Sequence, residues 1–408
     1  MLPPEPAGRP PRAGPRPFTW LLLLLLALVA WGLLPDSSGA ERELATVQAG
    51  PPPVVEASGR LAAVFEAARP ATVRIEARCS LAPASHAPMG IGTGFFIADD
   101  GLLLTAYHVV RSRQLGFCPV HYTATTVDGD VIDLDLLGFD AVLDVALMQA
   151  QATGPVPWLE LADSLPPSGS GIVAIGNSRD DFLEDRAGTV LRRNVTASQV
   201  AFASGTVETT ASLAPGDSGG PVLTGDGKVV GVVSYISYLT GGEVEAEGLI
   251  PRLIRSAVGR PSYTSYAVPV LQGSELLGQL LAGGRRDIPV IGFSLQYDYV
   301  PARESGLLGP SPGVVVGPVQ PGGPGADAGL RSYSRWPVRD ATGRTVGSSI
   351  TADVIVALNG FATPDFDQLL AIIYEFDVGD TVTLTVQRGN DFVEIPLTLG
   401  ARRDVFGQ

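Results

Sequence analysis

The segment "GTGFFIADDGLLLTA" (Gly92–Ala106) indicates how this chain folds. Its two apolar runs flank Asp100-Gly101, a dipeptide that suits the tight turn of a β-hairpin. The segment "PVLTGDGKVVGVVSY" (Pro221–Tyr235) repeats this pattern and predicts a second hairpin. Short apolar runs broken by Gly, Asp and Asn continue between the two hairpins. The sequence therefore predicts a mostly β fold class.

Composition shifts divide the 408 residues into six segments. Two runs, "LQGSELLGQLLAGG" and "FDQLLAIIYEF", have apolar residues at helical spacing, and the first should separate two folded domains. The predicted segments are a basic N-region at 1–17, an apolar run at 18–34, a flexible linker at 35–60, a first domain at 61–270, a connecting helix and linker at 271–287, and a second domain at 288–402.

The N-terminal residues are typical of an export signal. Arg9, Arg12 and Arg16 precede the uncharged run "WLLLLLLALVAWGLL" (Trp20–Leu34). The run is short against the roughly 20 residues of a spanning helix, and Ser38–Ala40 offers small residues for signal-peptidase cleavage. Two interpretations therefore stay open, an uncleaved transmembrane anchor and a cleaved signal peptide. Both leave the N-region on the cytoplasmic side and place the remaining chain outside the cytoplasm.

Charge and cysteine content exclude several classes of function. Lys and Arg number 28 against 42 Asp and Glu, a net charge of −14, which disfavours nucleic acid as a partner. Cys79 and Cys118 have no metal-ligand spacing. We expect no metal and no cofactor. Export would allow these two cysteines to form a disulfide, with two separate thiols as the alternative.

The segment "SLAPGDSGGPVL" (Ser212–Leu223) contains a candidate nucleophile, Ser218. A serine hydroxyl attacks a peptide bond only when a base removes its proton and fixed donors stabilise the oxyanion. The surrounding glycines allow a sharp turn that directs the N–H groups of Gly216 and Ser218 at one point. An ordinary glycine-rich turn is the alternative interpretation.

Candidate partners for this serine lie upstream in the chain. Of the three histidines, His86 lies in a proline-containing loop, His121 in a strand-like run, and His108 at the end of a predicted strand, where it can face a cleft. The base also needs a carboxylate to orient its ring. Asp140 and Asp144 are both available, and Asp144 is favoured because it directly precedes an apolar strand.

With His108, Asp144 and Ser218 in this order, the sequence resembles the HtrA (Deg) family of exported serine proteases. The matching segments include "GTGFFIADDGLLLTAYHVV", "DVALMQ", "GIVAIGN", "PGDSGGPVL" and "PGGPGADAGL". The resemblance implies a chymotrypsin-like double β-barrel at 61–270 followed by one PDZ domain at 288–402. It also implies that Ser218 attacks, His108 is general base and acid, and Asp144 orients it. The N–H groups of Gly216, Asp217 and Ser218 would form the oxyanion hole.

The resemblance also implies partners. A C-terminal peptide would add as a strand to the PDZ domain, its carboxylate held by the backbone of Val290, Ile291, Gly292 and Phe293. Homotrimers are common in the family. The implied function is a serine endopeptidase acting outside the cytoplasm on protein or peptide substrates, either unfolded or damaged proteins or a regulatory substrate.

The resemblance further implies that the PDZ domain modulates this activity or recruits substrate, and that the resting enzyme can have a collapsed oxyanion hole. The implied location is the inner membrane, with the folded domains in the periplasm or outside the cell. The alternative is a non-catalytic peptide-binding sensor or chaperone that uses the PDZ domain.

Three features depart from the family pattern. Asp217 stands where the family usually has Asn, a change that the chemistry should survive. The segments at 238–264 and 332–350 are longer than usual. The first insertion leaves the specificity pocket open to question, and the second leaves PDZ ligand binding open.

Overall fold

The computed structural model describes residues 55–82, 86–111, 119–178, 181–195, 205–240, 261–295 and 312–407. The predicted N-region at 1–17, the apolar run at 18–34 and most of the linker predicted at 35–60 lie outside these ranges, as do residues 241–260 of the long segment at 238–264. Within the described ranges, no helix is both long and apolar enough to cross a bilayer.

The first domain begins with a closed six-stranded barrel. Its strands pair in the order β5-β4-β1-β2-β3-β6, and an antiparallel β5–β6 pairing closes it. The predicted first hairpin forms β2 and β3, with Gly94 opposite Thr105. Helix α1 precedes the barrel and helix α2 follows β3. The bounds are α1 Arg60–Ala68, β1 Thr72–Cys79, β2 Gly90–Phe96, β3 Leu102–Ala106, α2 Tyr107–Val110, β4 Val120–Thr125, β5 Val131–Asp140 and β6 Val145–Ala150.

A second closed barrel follows, with strand order β10-β11-β12-β9-β8-β7. The predicted second hairpin forms β10 and β11. Together the two barrels confirm the predicted mostly β, chymotrypsin-like architecture. The bounds are β7 Gly171–Gly176, β8 Glu184–Val195, β9 Thr206–Thr209, β10 Pro221–Thr224, β11 Val229–Thr240 and β12 Pro261–Pro269.

The connecting helix α3 (Glu275–Leu281) begins at Ser274, whose hydroxyl accepts the N–H of Leu277. Strand β13 (Arg285–Arg286) then runs parallel to β5 and joins the first barrel. The second domain contains a six-stranded sheet with the order β15-β16-β19-β21-β22, in which β20 pairs with β19, and helix α5 packs against its core. Two two-stranded sheets, β14–β23 and β17–β18, complete the described part of this domain. The bounds are β14 Pro289–Val290, β15 Phe293–Leu295, β16 Val314–Val319, α4 Pro324–Asp327, β17 Ser334–Arg339, β18 Thr345–Thr351, β19 Asp353–Leu358, β20 Phe361–Ala362, α5 Phe366–Ile373, β21 Thr381–Arg388, β22 Asp391–Thr398, β23 Gly400–Ala401 and α6 Arg402–Phe406.

Three local features differ from the sequence prediction or add to it. Helix α1 was not predicted; its Val64, Phe65 and Ala68 are buried against the barrels. The run "VIGFSL" (Val290–Leu295) is divided between strands β14 and β15, because Gly292 adopts φ +91° between them. The segment at 332–350 contributes the hairpin of β17 and β18, on which Trp336 is 61% exposed.

Candidate active site

The three residues proposed as a catalytic triad lie on three different connections of the two barrels. Helix α2, directly after β3, carries His108. The turn between β5 and β6 carries Asp144, and the loop before β10 carries Ser218. The carbonyl of Ser218 accepts the N–H of Thr93 from β2 at 2.8 Å, so the serine loop is bonded directly to the first barrel.

His108 and Asp144 are in direct contact. Nδ1 of His108 lies 2.7 Å from Oδ2 of Asp144, and the backbone N–H of His108 donates to Oδ1 at 2.8 Å. The Asp144 side chain is 3% exposed, whereas the imidazole is 41% exposed. Asp144 also has φ +58°, a left-handed conformation that is rare outside glycine and recurs at functional sites. A hydrogen bond at Nδ1 leaves Nε2 as the ring nitrogen that can act as a base.

Ser234 on β11 joins the serine loop to this pair and was not singled out from the sequence. Its buried hydroxyl donates to Oδ2 of Asp144 at 2.6 Å. Its carbonyl accepts the Ser218 hydroxyl at 3.5 Å, a long hydrogen bond. Within the described ranges, Ser218 makes no hydrogen bond to His108. A serine in a β-strand carries no local sequence pattern, so only the folded arrangement identifies Ser234.

The environment of His108 acts on its pKa in two directions. Burial lowers the pKa of the imidazole, because a charged ring loses hydration. The charge of Asp144 and its hydrogen bond raise it, and together they prevail, so the pKa of His108 lies above its ordinary value. Asp144 therefore makes the His108 ring a stronger base than an ordinary histidine.

The loop from Gly216 to Ser218 presents two free donors. The N–H groups of Gly216 and Ser218 have no acceptor within the part of the chain that the structure describes. Gly216 has φ +110°, and its carbonyl accepts the Thr93 hydroxyl at 2.8 Å. The Asp217 N–H donates to the carbonyl of Ala214 at 3.0 Å and is therefore not free. This corrects the expectation that Asp217 adds a third donor.

The other two histidines and Asp140 do not have the contacts that His108 and Asp144 make. His121 on β4 bonds to Asp133 at 3.0 Å, and both side chains are exposed. His86 is exposed and its carbonyl accepts from Arg78. Asp140 does not bond to a histidine within the described ranges; its carboxylate accepts the N–H groups of Val142 and Leu143 and so caps the turn that leads to Asp144.

The residues proposed to bind a peptide carboxylate line a cavity of about 430 Å³. Phe293 forms an edge-on contact with Phe366 of helix α5, which supplies the opposite wall. The N–H groups of Ile291 and Gly292 find no acceptor among the described residues, as a carboxylate site requires. The remaining lining residues are Ile288, Pro289, Val290, Ser294, Leu369, Leu370, Ile373, Tyr374, Arg402 and Phe406.

Only one of the two cysteines proposed to form a disulfide lies in the described part of the chain. Cys79 at the end of β1 is disulfide-bonded. Cys118 lies outside the described residues.

Comparison with protein families matches two regions of the chain. Residues 92–232 match a trypsin-like peptidase domain, the segment that carries His108, Asp144 and Ser218. Residues 289–399 match a PDZ domain, which contains the cavity at Val290–Phe293.

Two relatives are similar to about three quarters of the chain. "Protease Do-like 1, chloroplastic" of Arabidopsis thaliana is 30% identical over 324 residues, 78% of this chain and 65% of the relative. "Probable periplasmic serine endoprotease DegP-like" of Chlamydia muridarum is 27% identical over 309 residues, 76% of this chain and 53% of the relative. The chain thus spans about half to two thirds of the length of these relatives.

The fold also resembles solved structures. The HtrA-type protease AlgW, solved with a decapeptide, has a TM-score of 0.53 at 19% identity; the match covers 85% of this chain and 99% of that one. At this identity the likeness concerns the fold alone.

Proposed function

We propose that this chain, which contains one trypsin-like peptidase domain and one PDZ domain, is a serine endopeptidase of the HtrA (Deg) family with Ser218 as nucleophile. The observation that carries this proposal is the chain of hydrogen bonds from His108 through Asp144 and Ser234 to Ser218. A buried carboxylate, an imidazole that uses only Nδ1, and a serine beside two N–H groups suit acyl transfer, where Nε2 and both N–H groups have no partner among the described residues.

In the proposed mechanism, the Ser218 hydroxyl exchanges its long hydrogen bond to the Ser234 carbonyl for one to Nε2 of His108. His108 takes the hydroxyl proton as Oγ attacks the substrate carbonyl, and it then donates that proton to the leaving amine. Asp144 holds the Nδ1–H and stabilises the imidazolium. The N–H groups of Gly216 and Ser218 stabilise the oxyanion. Water hydrolyses the acyl-enzyme by the same steps.

Labelling with a fluorophosphonate tests this proposal. The probe phosphonylates an activated serine, so we expect it to label the wild-type chain and to leave Ser218→Ala unlabelled. Hydrolysis of fluorescently labelled casein, an unfolded protein, should disappear in the same variant. If neither the wild-type chain nor the chain with added C-terminal peptides is labelled, the endopeptidase proposal is wrong, and the non-catalytic peptide-binding alternative takes its place.

We further propose that peptide binding to the PDZ domain modulates the peptidase domain through Arg286. This guanidinium donates to the carbonyl of Tyr374, the residue directly after helix α5, at 2.6 Å, and to Asp377 at 2.9 Å. It also lies 3.7 Å from Asp140, the buried carboxylate that caps the turn leading to Asp144. A shift of α5 on peptide binding would therefore act on the turn that carries the orienting carboxylate.

Peptide stimulation of casein hydrolysis tests this coupling. A library of C-terminal peptides should contain members that raise the wild-type rate, and Arg286→Met should reduce that stimulation at least threefold. Arg285→Met is the matched control, because Arg285 is the exposed neighbour on the same strand. Equal stimulation in Arg286→Met and wild type would remove Arg286 from the mechanism. A library without any stimulating peptide would remove PDZ modulation itself.

The proposed location is outside the cytoplasm, held at the inner membrane by residues 18–34. The apolar run after three arginines supports export, and so does the disulfide at Cys79. Fractionation of cells that express a C-terminally tagged chain should place the tag with the membrane. Release of a shortened soluble chain beginning after Ala40 would instead show a cleaved signal peptide.

A further inference from the structure

The carboxylate of Asp217 is the most deeply buried charged group beside the nucleophile. Its residue is 0% exposed and directly precedes Ser218. Oδ1 accepts the N–H of Ser178 at 2.9 Å, and Oδ2 accepts the Ser178 hydroxyl at 2.7 Å and the N–H of Ala214 at 2.9 Å. These bonds join the loop after β7 to the loop that carries the oxyanion donors.

A buried cation, Arg186 on β8, faces this carboxylate. Its side chain is 1% exposed, and Nε lies 3.6 Å from Oδ2 of Asp217. Nη2 donates to the Ser178 hydroxyl at 3.1 Å and to Asp181 at 2.9 Å. Within the described ranges, Nε has no hydrogen-bond acceptor, so its interaction with Asp217 is one of charge. The Ser178 hydroxyl connects the two ions, accepting from Arg186 and donating to Asp217.

The surroundings leave Asp217 little room for another position. A methyl group on Gly176 would lie 2.2 Å from Oδ1 of Asp217, so the end of β7 packs directly on the carboxylate. On the other side of the loop, Thr93 holds the carbonyls of Gly216 and Ser218 at 2.8 Å each. The oxyanion loop is therefore clamped between neutral hydrogen bonds to Thr93 and a charged anchor at Asp217.

Removal of the Arg186 charge would leave the Asp217 carboxylate buried and uncompensated, whereas Arg186 keeps Asp181 as a partner when Asp217 is neutralised. An unpaired buried charge is strongly unfavourable, and the structure relieves it by rearrangement or hydration. The most direct rearrangement moves Asp217 toward water. Because Asp217 lies between Gly216 and Ser218, such a movement would displace both oxyanion donors and the nucleophile.

We propose that Arg186 is a positioning residue, whose charge holds Asp217 and thereby sets the oxyanion hole. The inference rests on the proposed endopeptidase function, since it concerns the geometry of that same site. Arg186 acts through Asp217 and Ser178 and does not touch the substrate. Its loss should therefore lower kcat and leave KM nearly unchanged.

Four variants test this inference: Arg186→Met, Asp217→Asn, the double variant with both changes, and Asp181→Asn. Each is compared with wild type by its fluorophosphonate labelling rate, by kcat and KM on labelled casein, and by thermal unfolding. Arg186→Met should lower kcat and the labelling rate about 100-fold, the scale of losing one oxyanion donor. The double variant buries no unpaired charge at this position and should recover to within about tenfold of wild type.

Asp181→Asn is the matched control. It removes the other carboxylate partner of Arg186, which is 41% exposed, and leaves the Asp217 contact in place. We expect its kcat to stay within about twofold of wild type, because exposed ion pairs contribute little.

The outcomes separate the two proposals. An unlabelled wild type overturns the endopeptidase function, and this inference falls with it. If the wild type is labelled and Arg186→Met folds with nearly normal kcat, the inference about Arg186 is wrong, but the endopeptidase proposal stands. If Arg186→Met does not fold, the double variant decides: nearly normal kcat supports the charged anchor, whereas a folded double variant that has lost 100-fold contradicts it.

Discussion

Among the described residues, the first barrel contains two histidine–carboxylate pairs that consist of the same chemical groups and differ in their surroundings. His108 and Asp144 are 2.7 Å apart, and His121 and Asp133 are 3.0 Å apart. The side chain of Asp144 is 3% exposed, whereas that of Asp133 is 66% exposed. Contact between an imidazole and a carboxylate is therefore not by itself evidence of catalysis.

The difference lies in what else holds the carboxylate. Asp144 accepts from the His108 ring, the His108 backbone and the Ser234 hydroxyl, and it sits in a left-handed conformation. These constraints fix one ring orientation and keep the charge away from water, where it interacts more strongly. The exposed pair on β4 and β5 is screened by solvent and free to separate. Burial of Asp144 and its hydrogen bond from Ser234 therefore distinguish the pair that can orient a catalytic base from an ordinary surface ion pair.

The largest expected effect comes from neutralising the buried carboxylate. Asp144→Asn should lower kcat about 10⁴-fold, because the amide offers the wrong hydrogen-bond partner to Nδ1 and does not stabilise the imidazolium. Casein hydrolysis measures this loss. Asp133→Asn is the matched control and should keep full activity. A loss of less than tenfold in Asp144→Asn would place the orienting carboxylate elsewhere.

Removal of the Ser234 hydroxyl, which donates to Asp144, should have an intermediate effect on kcat/KM. Ser234→Ala deletes a hydrogen bond to a buried carboxylate, an interaction of about 1.5–3 kcal/mol, and should lower kcat/KM about 10- to 100-fold. Ser265→Ala, which removes a buried hydroxyl bonded at 2.7 Å to the Ala211 carbonyl, is the control for lost stability. Equal kcat/KM in the two variants would show that Ser234 has no special part in catalysis.

The pH dependence of kcat/KM should report the pKa of His108, and the expected change is smaller than that of the two preceding variants. Burial lowers the pKa of His108, but the charge and hydrogen bond of Asp144 raise it further, so the net direction is upward. Since the base must be neutral, activity should rise with pH through a value above about 6.5. Labelling rates measured between pH 5 and 9 test this, and an acid limb below about 6 would contradict it.

The raised pKa of His108 affects stability and activity in opposite directions: as pH rises, activity increases and the stabilisation of the folded chain decreases. Because folding raises this pKa, the pair stabilises the folded chain at pH values below the unfolded pKa, and this contribution is lost as pH rises through the folded pKa.

The smallest expected effect is at the exposed pair. His121→Gln should change the free energy of unfolding by less than about 0.5 kcal/mol and leave kcat unchanged, because exposed pairs contribute little. Urea unfolding and casein hydrolysis measure the two quantities. A large loss of activity would show that exposure is a poor guide to which histidine is the base.

Local sequence patterns were sufficient for the elements whose information lies within a few residues. The turn at Asp100-Gly101, the alternation of β-strands and the apolar spacing of helices α3 and α5 are local features of the sequence. Helix α1 was missed because its short apolar stripe, Val64, Phe65 and Ala68, gains stability only by packing on the barrels.

By itself, the sequence determined the mostly β class, the two-domain order and the proposed roles of His108, Asp144 and Ser218, because hairpin turns and the GDSGG loop are encoded by neighbouring residues. Only the tertiary structure decided that Ser234 supports the carboxylate, that Arg186 faces Asp217, and that Arg286 connects α5 to Asp140. The physical reason is that these interactions join residues that are far apart in the sequence. The energy of a buried charge depends on groups that folding brings from distant parts of the chain, and no local pattern records which group will arrive.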